Sequence, residues 1–195
     1  MGRKSKVVQR RKEILDHFYM VILEDGFENA SIAKIANRMD VNPSLLIHYF
    51  STKEEMVRGL IDSVLNQYHQ LFLPALEGIS DPEARLACLL ESLGGHKYMQ
   101  RADGPVYYNC YALIFRDPAI KLRFQEVYRQ ICDMILREVE RAKLAGLIRV
   151  RDARMTANAL IWIAEGRSFY ENIFDQEHPF VDTSELLRHL LYETA

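Results

Sequence analysis

The stretch FENASIAKIANRMDVNPSLLIHYFSTKEE, residues 27–55, decides how this chain is read. It predicts two short helices joined by a tight turn, followed at once by the capped start of a third. Ser31 opens the first, because its hydroxyl can accept from an otherwise orphan backbone N–H. Ile32, Ile35, Ala36 and Met39 then recur at helical spacing. The turn falls at Met39-Asp40-Val41. Asn42 caps the second helix, and Pro43 takes its first position, where a missing N–H costs nothing. That helix is long enough only to present Leu45, Leu46, Ile47, His48 and Tyr49 before it breaks at Phe50-Ser51. Thr52-Lys53-Glu54-Glu55 matches a capping box and starts the next helix. Two short helices around a three- to four-residue turn are the shape that lays its second helix in the DNA major groove. The segment predicts a DNA-binding protein.

Several residues carry a resemblance to a known family: Gly26-Phe27, Ser31, Ile35-Ala36, Asp40-Val41-Asn42, Leu46-Ile47-His48-Tyr49-Phe50 and Thr52-Lys53-Glu54. In this pattern the segment resembles the DNA-binding domain of the TetR family of transcriptional regulators. The likeness covers the first third of the chain in detail and the remainder in helical layout and length. Asp40 stands where the family usually has a turn glycine, and Asp visits the left-handed conformation more easily than most residues. Ile47 replaces a usual Tyr, so the contact there is aliphatic rather than aromatic. Leu45 sits where small polar residues are common.

Composition fits an all-α globule. Of 195 residues, 49% are hydrophobic, while Gly (9) and Pro (6) are scarce, and the length suits one domain or two small ones. The net charge of −2 is unevenly spread. Residues 1–12 hold Arg3, Lys4, Lys6, Arg10, Arg11 and Lys12 and no acid. Residues 1–60 carry ten Lys/Arg against eight Asp/Glu, net +2, and the rest is net −4. A basic end on an acidic body suits a DNA reader with a separate regulatory part, although a basic terminus alone is commonly a solvated tail. No apolar run is long enough to span a membrane, and no signal-peptide core follows the basic start, where Glu13, Asp16 and His17 stand. Cys88, Cys110 and Cys132 are odd in number and widely spaced, as expected of reduced thiols in a cytoplasmic protein.

Farther along, periodicity predicts helices over about 5–25, from Thr52 to a stop at Pro74, from Asp81-Pro82 to a break at Asp103-Gly104-Pro105, from that break to about Arg116, from Asp117 to Gly146, from Asp152 to about Asp175, and from Thr183 to Glu193. That makes nine helices. The resemblance implies two domains, a helix-turn-helix domain at 1–51 and a helical regulatory and dimerisation domain at 52–195. It also implies a repressor released from a palindromic operator in double-stranded DNA by a small-molecule effector, with no cofactor.

Candidate DNA contacts follow residue by residue. Lys53 lies at a helix N-terminus, where positive charge and orphan amides both attract phosphate. Asn42, Pro43 and Ser44 open the recognition helix, where side chains first meet base edges. Leu45 and Ile47 are placed to meet thymine methyls, with core packing the plain reading for Leu45. The resemblance assigns His48 and Tyr49 to backbone phosphates, and Ser31 is a cap whose amide can bond one.

The second half has no catalytic set. Its histidines are far apart, no HExxH or CxxC occurs, and Gly94-Gly95 reads as a kink or close-packing site rather than a phosphate loop. The helix from 152 is apolar around much of its circumference, through Ala157, Leu160, Trp162, Ile163, Gly166, Phe169 and Ile173. Leu186, Leu187, Leu190 and Leu191 add a second stripe, and together they predict a four-helix homodimer interface. An ordinary monomer core is the bland reading. The family's ligand site lies between its middle helices, which implies Tyr68, His96, Tyr107, Asn109, Cys110, Tyr111, Phe124, Tyr128 and Trp162 as pocket residues. Plain core is again the bland reading of the aromatics. Two other functions remain open at this point: a DNA-organising protein of the same fold without a ligand, and a helical enzyme or metal-binding protein with a fortuitous helix-turn-helix.

Overall fold

The computed structural model describes residues 3–76, 78–94, 104–174 and 181–192, with side chains described from residue 6 except at 67–75 and 105. Among the described residues stand nine α-helices and no strand: α1 (Arg3–Asp25), α2 (Ile32–Arg38), α3 (Pro43–Tyr49), α4 (Lys53–Leu76), α5 (Pro82–Gly94), α6 (Gly104–Ala112), α7 (Pro118–Leu144), α8 (Ala153–Glu171) and α9 (Thr183–Tyr192). A short 3-10 turn, Leu113–Phe115, follows α6.

Local chemistry places most of these ends. Asp117 Oδ1 accepts from Ala119 N at 2.9 Å, and Asp152 Oδ1 accepts from Arg154 N and Met155 N at 2.8 and 3.0 Å. Each aspartate thereby satisfies N–H groups that a new helix leaves orphaned. Arg58 first, and then the backbone bonds, hold the Asp117 carboxyl below the usual aspartate range, and the backbone bonds do so for Asp152. The long helix α7 closes in a Schellman motif: Gly146 sits at φ +73 and Leu147 N–H bonds Ala142 O at 3.0 Å.

Three sequence expectations are corrected. Pro74 does not stop α4, which continues to Leu76. A proline forfeits one ladder bond, and this close to a helix end few turns remain to be disturbed. The helix from Gly104 ends at Ala112 and tightens into the 3-10 turn instead of running to Arg116. Helix α8 ends at Glu171, capped by Asn172, rather than near Asp175. The segment around His178-Pro179 lies outside the described residues.

By compactness the chain divides into two units that each draw on two stretches: residues 1–66 with 103–124, and residues 67–102 with 125–195. In the first unit α6 and the start of α7 gather with the N-terminal helices. Ile14, Phe18 and Ile22 of α1, Ile35 and Ala36 of α2, Leu46 of α3, Phe50, and Met56 and Leu60 of α4 are buried there. Arg58 bonds Asp117 at 2.9 Å and Arg123 bonds Asp62 at 2.6 Å, tying α4 to the start of α7. In the second unit, Val127, Ile131, Met134, Ile135 and Val139 of α7 are buried, as are Leu86, Leu89, Leu90 and Leu93 of α5. There the α5 end meets the start of α9 at Gly94, where an added Cβ would lie 2.5 Å from Ser184 Cα. The close-packing reading of Gly94 therefore holds; Gly95 lies outside the described residues. A buried ion pair spans the same unit: Arg85 grips Glu138 with bonds of 2.6 and 2.8 Å and donates to the Leu76 and Ile79 carbonyls, each at 2.8 Å.

Candidate nucleic-acid interface

The α2–turn–α3 segment is built from its own side chains. Ser31 Oγ accepts from Lys34 N at 3.3 Å, capping α2. Asp40 adopts φ +53, the left-handed residue that the turn needs, and Val41 N–H returns to Ala36 O at 3.0 Å. Asn42 Oδ1 accepts from Ser44 N at 2.9 Å, and Pro43 follows at the first helical position. Leu46 anchors α3 in the core with no exposure at all. Asn42, Pro43, Ser44, Ile47 and His48 are exposed, while Leu45 and Tyr49 are half-buried. One short helix thus offers a short, mixed polar and aliphatic surface fixed from behind by a single leucine.

The joint after α3 differs from a simple capping box. Thr52 Oγ1 accepts from Glu55 N at 3.1 Å, as expected. Glu55 Oε2, however, takes Ser51 N–H at 2.8 Å, one residue before the position that a reciprocal box would use. The other Glu55 oxygen receives Arg11 from both terminal nitrogens at 3.1 Å. The Ser51 amide first, and then Arg11, hold the Glu55 carboxyl below the usual glutamate range. Arg11 Nη1 also donates to the Tyr49 carbonyl, and its guanidinium carbon lies 4.0 Å from the Phe50 ring centroid. Sequence reasoning missed this role. It read Arg11 only as one charge of a basic run, and its partners lie 38 and 44 residues away.

Much of the basic character is spent internally. Arg10 pairs with Glu13, Lys12 with Asp16, Lys34 with Asp25 and Arg38 with Glu24. Lys53 is half-buried at the α4 N-terminus with its ammonium 5.8 Å from the Phe27 ring centroid, and it makes no ion pair among the described residues. It stands beside the backbone amides that the start of α4 leaves orphaned.

The pocket candidates scatter. Tyr107, Cys110, Tyr111 and Phe124 come together in the first unit. Tyr107 and Tyr111 stack at 6.2 Å between ring centroids, and Phe124 lies 5.8 Å from Tyr111 and 6.2 Å from Tyr107. Burial pushes the Cys110 thiol up to about 12, so it stays protonated and inert. Asn109 is exposed and Tyr128 is half-buried in the second unit. Trp162 is 70% exposed on α8, which moves it from an enclosed pocket to an outer face. Helix α8 is apolar nearly all round, so its sequence did not say which side turned inward. The side chain of Tyr68 and all of His96 lie outside the described residues. Arg167 pairs with Glu171 at 2.5 Å along its own helix. Among the described residues no three metal-ligating side chains cluster and no helix is long and apolar enough to cross a membrane.

Comparison with known proteins agrees with this geometry. Residues 14–60 match the family described as bacterial regulatory proteins, tetR family, and residues 81–193 match the tetracyclin repressor-like C-terminal domain. The HTH-type transcriptional regulator BetI of Rhizobium meliloti is 30% identical over 81 residues, 42% of this chain and only 40% of that protein. BetI of Serratia proteamaculans is 23% identical over 80% of this chain and 78% of its own length. A regulator from Saccharomonospora viridis, solved in complex with choline, shares the fold with a TM-score of 0.81 at 17% identity, covering 94% of this chain and 95% of its own. With one match across the helix-turn-helix and the other across the C-terminal helices, the chain belongs to the TetR family of DNA-binding transcriptional regulators.

Proposed function

We propose that the protein is a homodimeric repressor that reads a palindromic operator and leaves it when a small molecule binds. The observation that carries this reading is α3, held by buried Leu46 while Asn42, Pro43, Ser44, Ile47 and His48 stay exposed around its outer side. Asn42, Ser44 and Ile47 are its base readers, with Pro43 and Leu45 shaping the approach. Ser31, His48, Tyr49 and Lys53 are its phosphate anchors.

A second copy is the natural cover for α8. Met155, Ala159, Trp162, Gly166, Phe169 and Ile173 recur at alternating intervals of four and three, the spacing of an interhelical seam. Met155, Trp162, Phe169 and Ile173 are all exposed, and Leu186 and Leu190 extend apolar surface onto α9. Soluble monomers rarely leave such a patch open. Gly166 lies on this seam with nothing within 4 Å of where a Cβ would stand. A glycine inside a helix costs about 0.5–1 kcal/mol relative to alanine, and close approach of a partner helix gives that cost a purpose. Two α3 helices one DNA turn apart, about 34–36 Å, read a palindrome that one cannot.

For the effector, Tyr107, Tyr111 and Phe124 support a ligand with a cationic or aromatic head, because ring faces attract cations. The choline complex of the Saccharomonospora protein fits the same chemistry. These rings touch one another, so a ligand has to part them, and α4 is the proposed lever. A coupling of about 1–3 kcal/mol suffices to release DNA. The same ring contacts also favour a second reading, in which the rings are solid core and the protein binds DNA without any effector. The test is binding to duplexes selected from a randomised pool, followed by titration with choline and bulkier quaternary ammonium ions. Selection of a two-fold symmetric site and release by one of these cations supports the proposal. Selection without release by any cation favours the ligand-free reading, and no sequence selection sinks the repressor.

A further inference from the structure

We infer that Arg11 is a positioning residue for DNA reading, one that sets the angle of the recognition helix rather than binding phosphate; this rests on the proposed operator reading. By position Arg11 belongs to the basic run at residues 3–12, the natural place to look for phosphate contacts. Its donors are engaged elsewhere. One guanidinium from α1 meets the last carbonyl of α3 at Tyr49, bridges to Glu55 in the first turn of α4 at 3.1 Å, and stands over the ring of buried Phe50 with its carbon 4.0 Å from the centroid.

Those three contacts cover the whole connection from α3 to α4. A cation at the Tyr49 carbonyl complements the C-terminal end of α3. Glu55 passes the restraint on, since its second oxygen holds Ser51 N–H at 2.8 Å while its own amide bonds Thr52 Oγ1. Residues 49–55 are thereby closed into a ring of bonds that begins and ends on α1. Candidate readers on α3 and the candidate anchor Lys53 on α4 sit on either side of that ring. Their mutual register is what Arg11 fixes. Lysine is a poor replacement, because its single ammonium lacks the planar fork that puts two nitrogens on Glu55 while one of them also bonds the Tyr49 carbonyl.

The experiment measures binding of a duplex selected from a randomised pool, and of a scrambled duplex, across a salt series. The proteins are wild type, Arg11→Met, Arg11→Lys, Glu55→Gln, the double variant Arg11→Met with Glu55→Gln, and Lys53→Ala, each with its melting temperature recorded. Arg11→Met is expected to lose about tenfold or more on the selected duplex, the value of a lost charge-assisted contact, while its salt slope stays at the wild-type value. Lys53→Ala should flatten the slope by about one unit. Arg11→Lys should restore the melting temperature more than it restores sequence preference. Glu55→Gln should share the Arg11→Met defect, with the double variant no worse than either single. If Arg11→Met flattens the salt slope as Lys53→Ala does, Arg11 is a phosphate anchor and the inference is wrong. If Arg11→Met keeps wild-type preference, or if its loss merely tracks melting and Arg11→Lys restores both equally, Arg11 is only a structural tie. Should Arg11→Met fail to fold, Glu55→Gln and Arg11→Lys decide the matter by the same criteria. Failure of wild type to select any duplex would instead remove the operator reading on which the inference stands.

Discussion

Trp162→Ala probes the proposed assembly where its magnitude can be worked out. Trp162 is 70% exposed in the single chain. A large aromatic buries about 200 Å² when fully covered, so about 140 Å² is available for a partner helix. At about 25 cal/mol per Å² this is roughly 3.5 kcal/mol as an upper bound. Alanine keeps part of that area, and association entropy takes more, leaving about 2 kcal/mol per protomer. Two-fold symmetry doubles the loss to about 4 kcal/mol, close to a thousandfold in the dimer dissociation constant. Sedimentation equilibrium over a range of concentrations reads this directly. Removing an exposed side chain opens no cavity, so the melting temperature under conditions where both proteins are monomeric should barely change. A wild type that stays monomeric at micromolar concentration refutes the reasoning, and so does a variant that dimerises as tightly as wild type.

Three further perturbations test the fold that supports this surface. Arg85→Met leaves buried Glu138 without its hydrogen-bonded partner, balanced by Arg141 at 3.5 Å and by the charge of Arg137, and urea unfolding should register a loss of about 3–5 kcal/mol. Changing both partners, Arg85→Met with Glu138→Leu, should recover much of that loss; a double variant no better than the single would contradict it. Gly94→Ala drives a methyl into the Ser184 backbone, and thermal melting should show a destabilisation of about 1–3 kcal/mol despite the better helix propensity of alanine. Acidification should weaken the fold at the helix starts. Glu55, Asp117, Asp152 and Asp182 are all held below their ordinary values of 4.5 for glutamate and 3.8 for aspartate. Their stabilisation is therefore complete above about pH 5 and lost as pH falls through the depressed values. Stability measured from pH 7 downward should hold until the carboxylate range; a decline beginning near pH 6 would point to other groups.

Local chemistry was legible in the sequence wherever a side chain acts on backbone close by. Ser31, Asn42, Asp117 and Asp152 cap the helices they precede, and Gly146 ends α7, because such bonds span only two to five residues. Phase is legible where a helix has one apolar face: Phe124, Val127, Ile131, Ile135 and Val139 recur at intervals of three and four along α7, and all are buried. Helix α8 has no such face, so the sequence assigns Trp162 both to the pocket and to the dimer surface; in the single chain it is 70% exposed. Pro74 was read as a stop because a proline signals termination without saying how much of the last turn survives it. The Arg11–Glu55 joint was invisible for a third reason. Its partners are 44 residues apart, and a charged pair within a basic run has no pattern that distinguishes a tie from a tail.

The central claim is that α3 reads base edges while Lys53 anchors phosphate, and one salt titration tests it most directly. Binding of a selected duplex and a scrambled duplex is followed by fluorescence anisotropy for wild type, Asn42→Ala and Lys53→Ala over a salt series. The account predicts that Lys53→Ala weakens both duplexes alike and reduces the slope of log affinity against log salt by about one unit. It predicts that Asn42→Ala keeps the wild-type slope and narrows the gap between selected and scrambled duplexes, by about 1–3 kcal/mol if Asn42 reads a base edge. The same sequence-independent loss in both variants would contradict the division between readers and anchors.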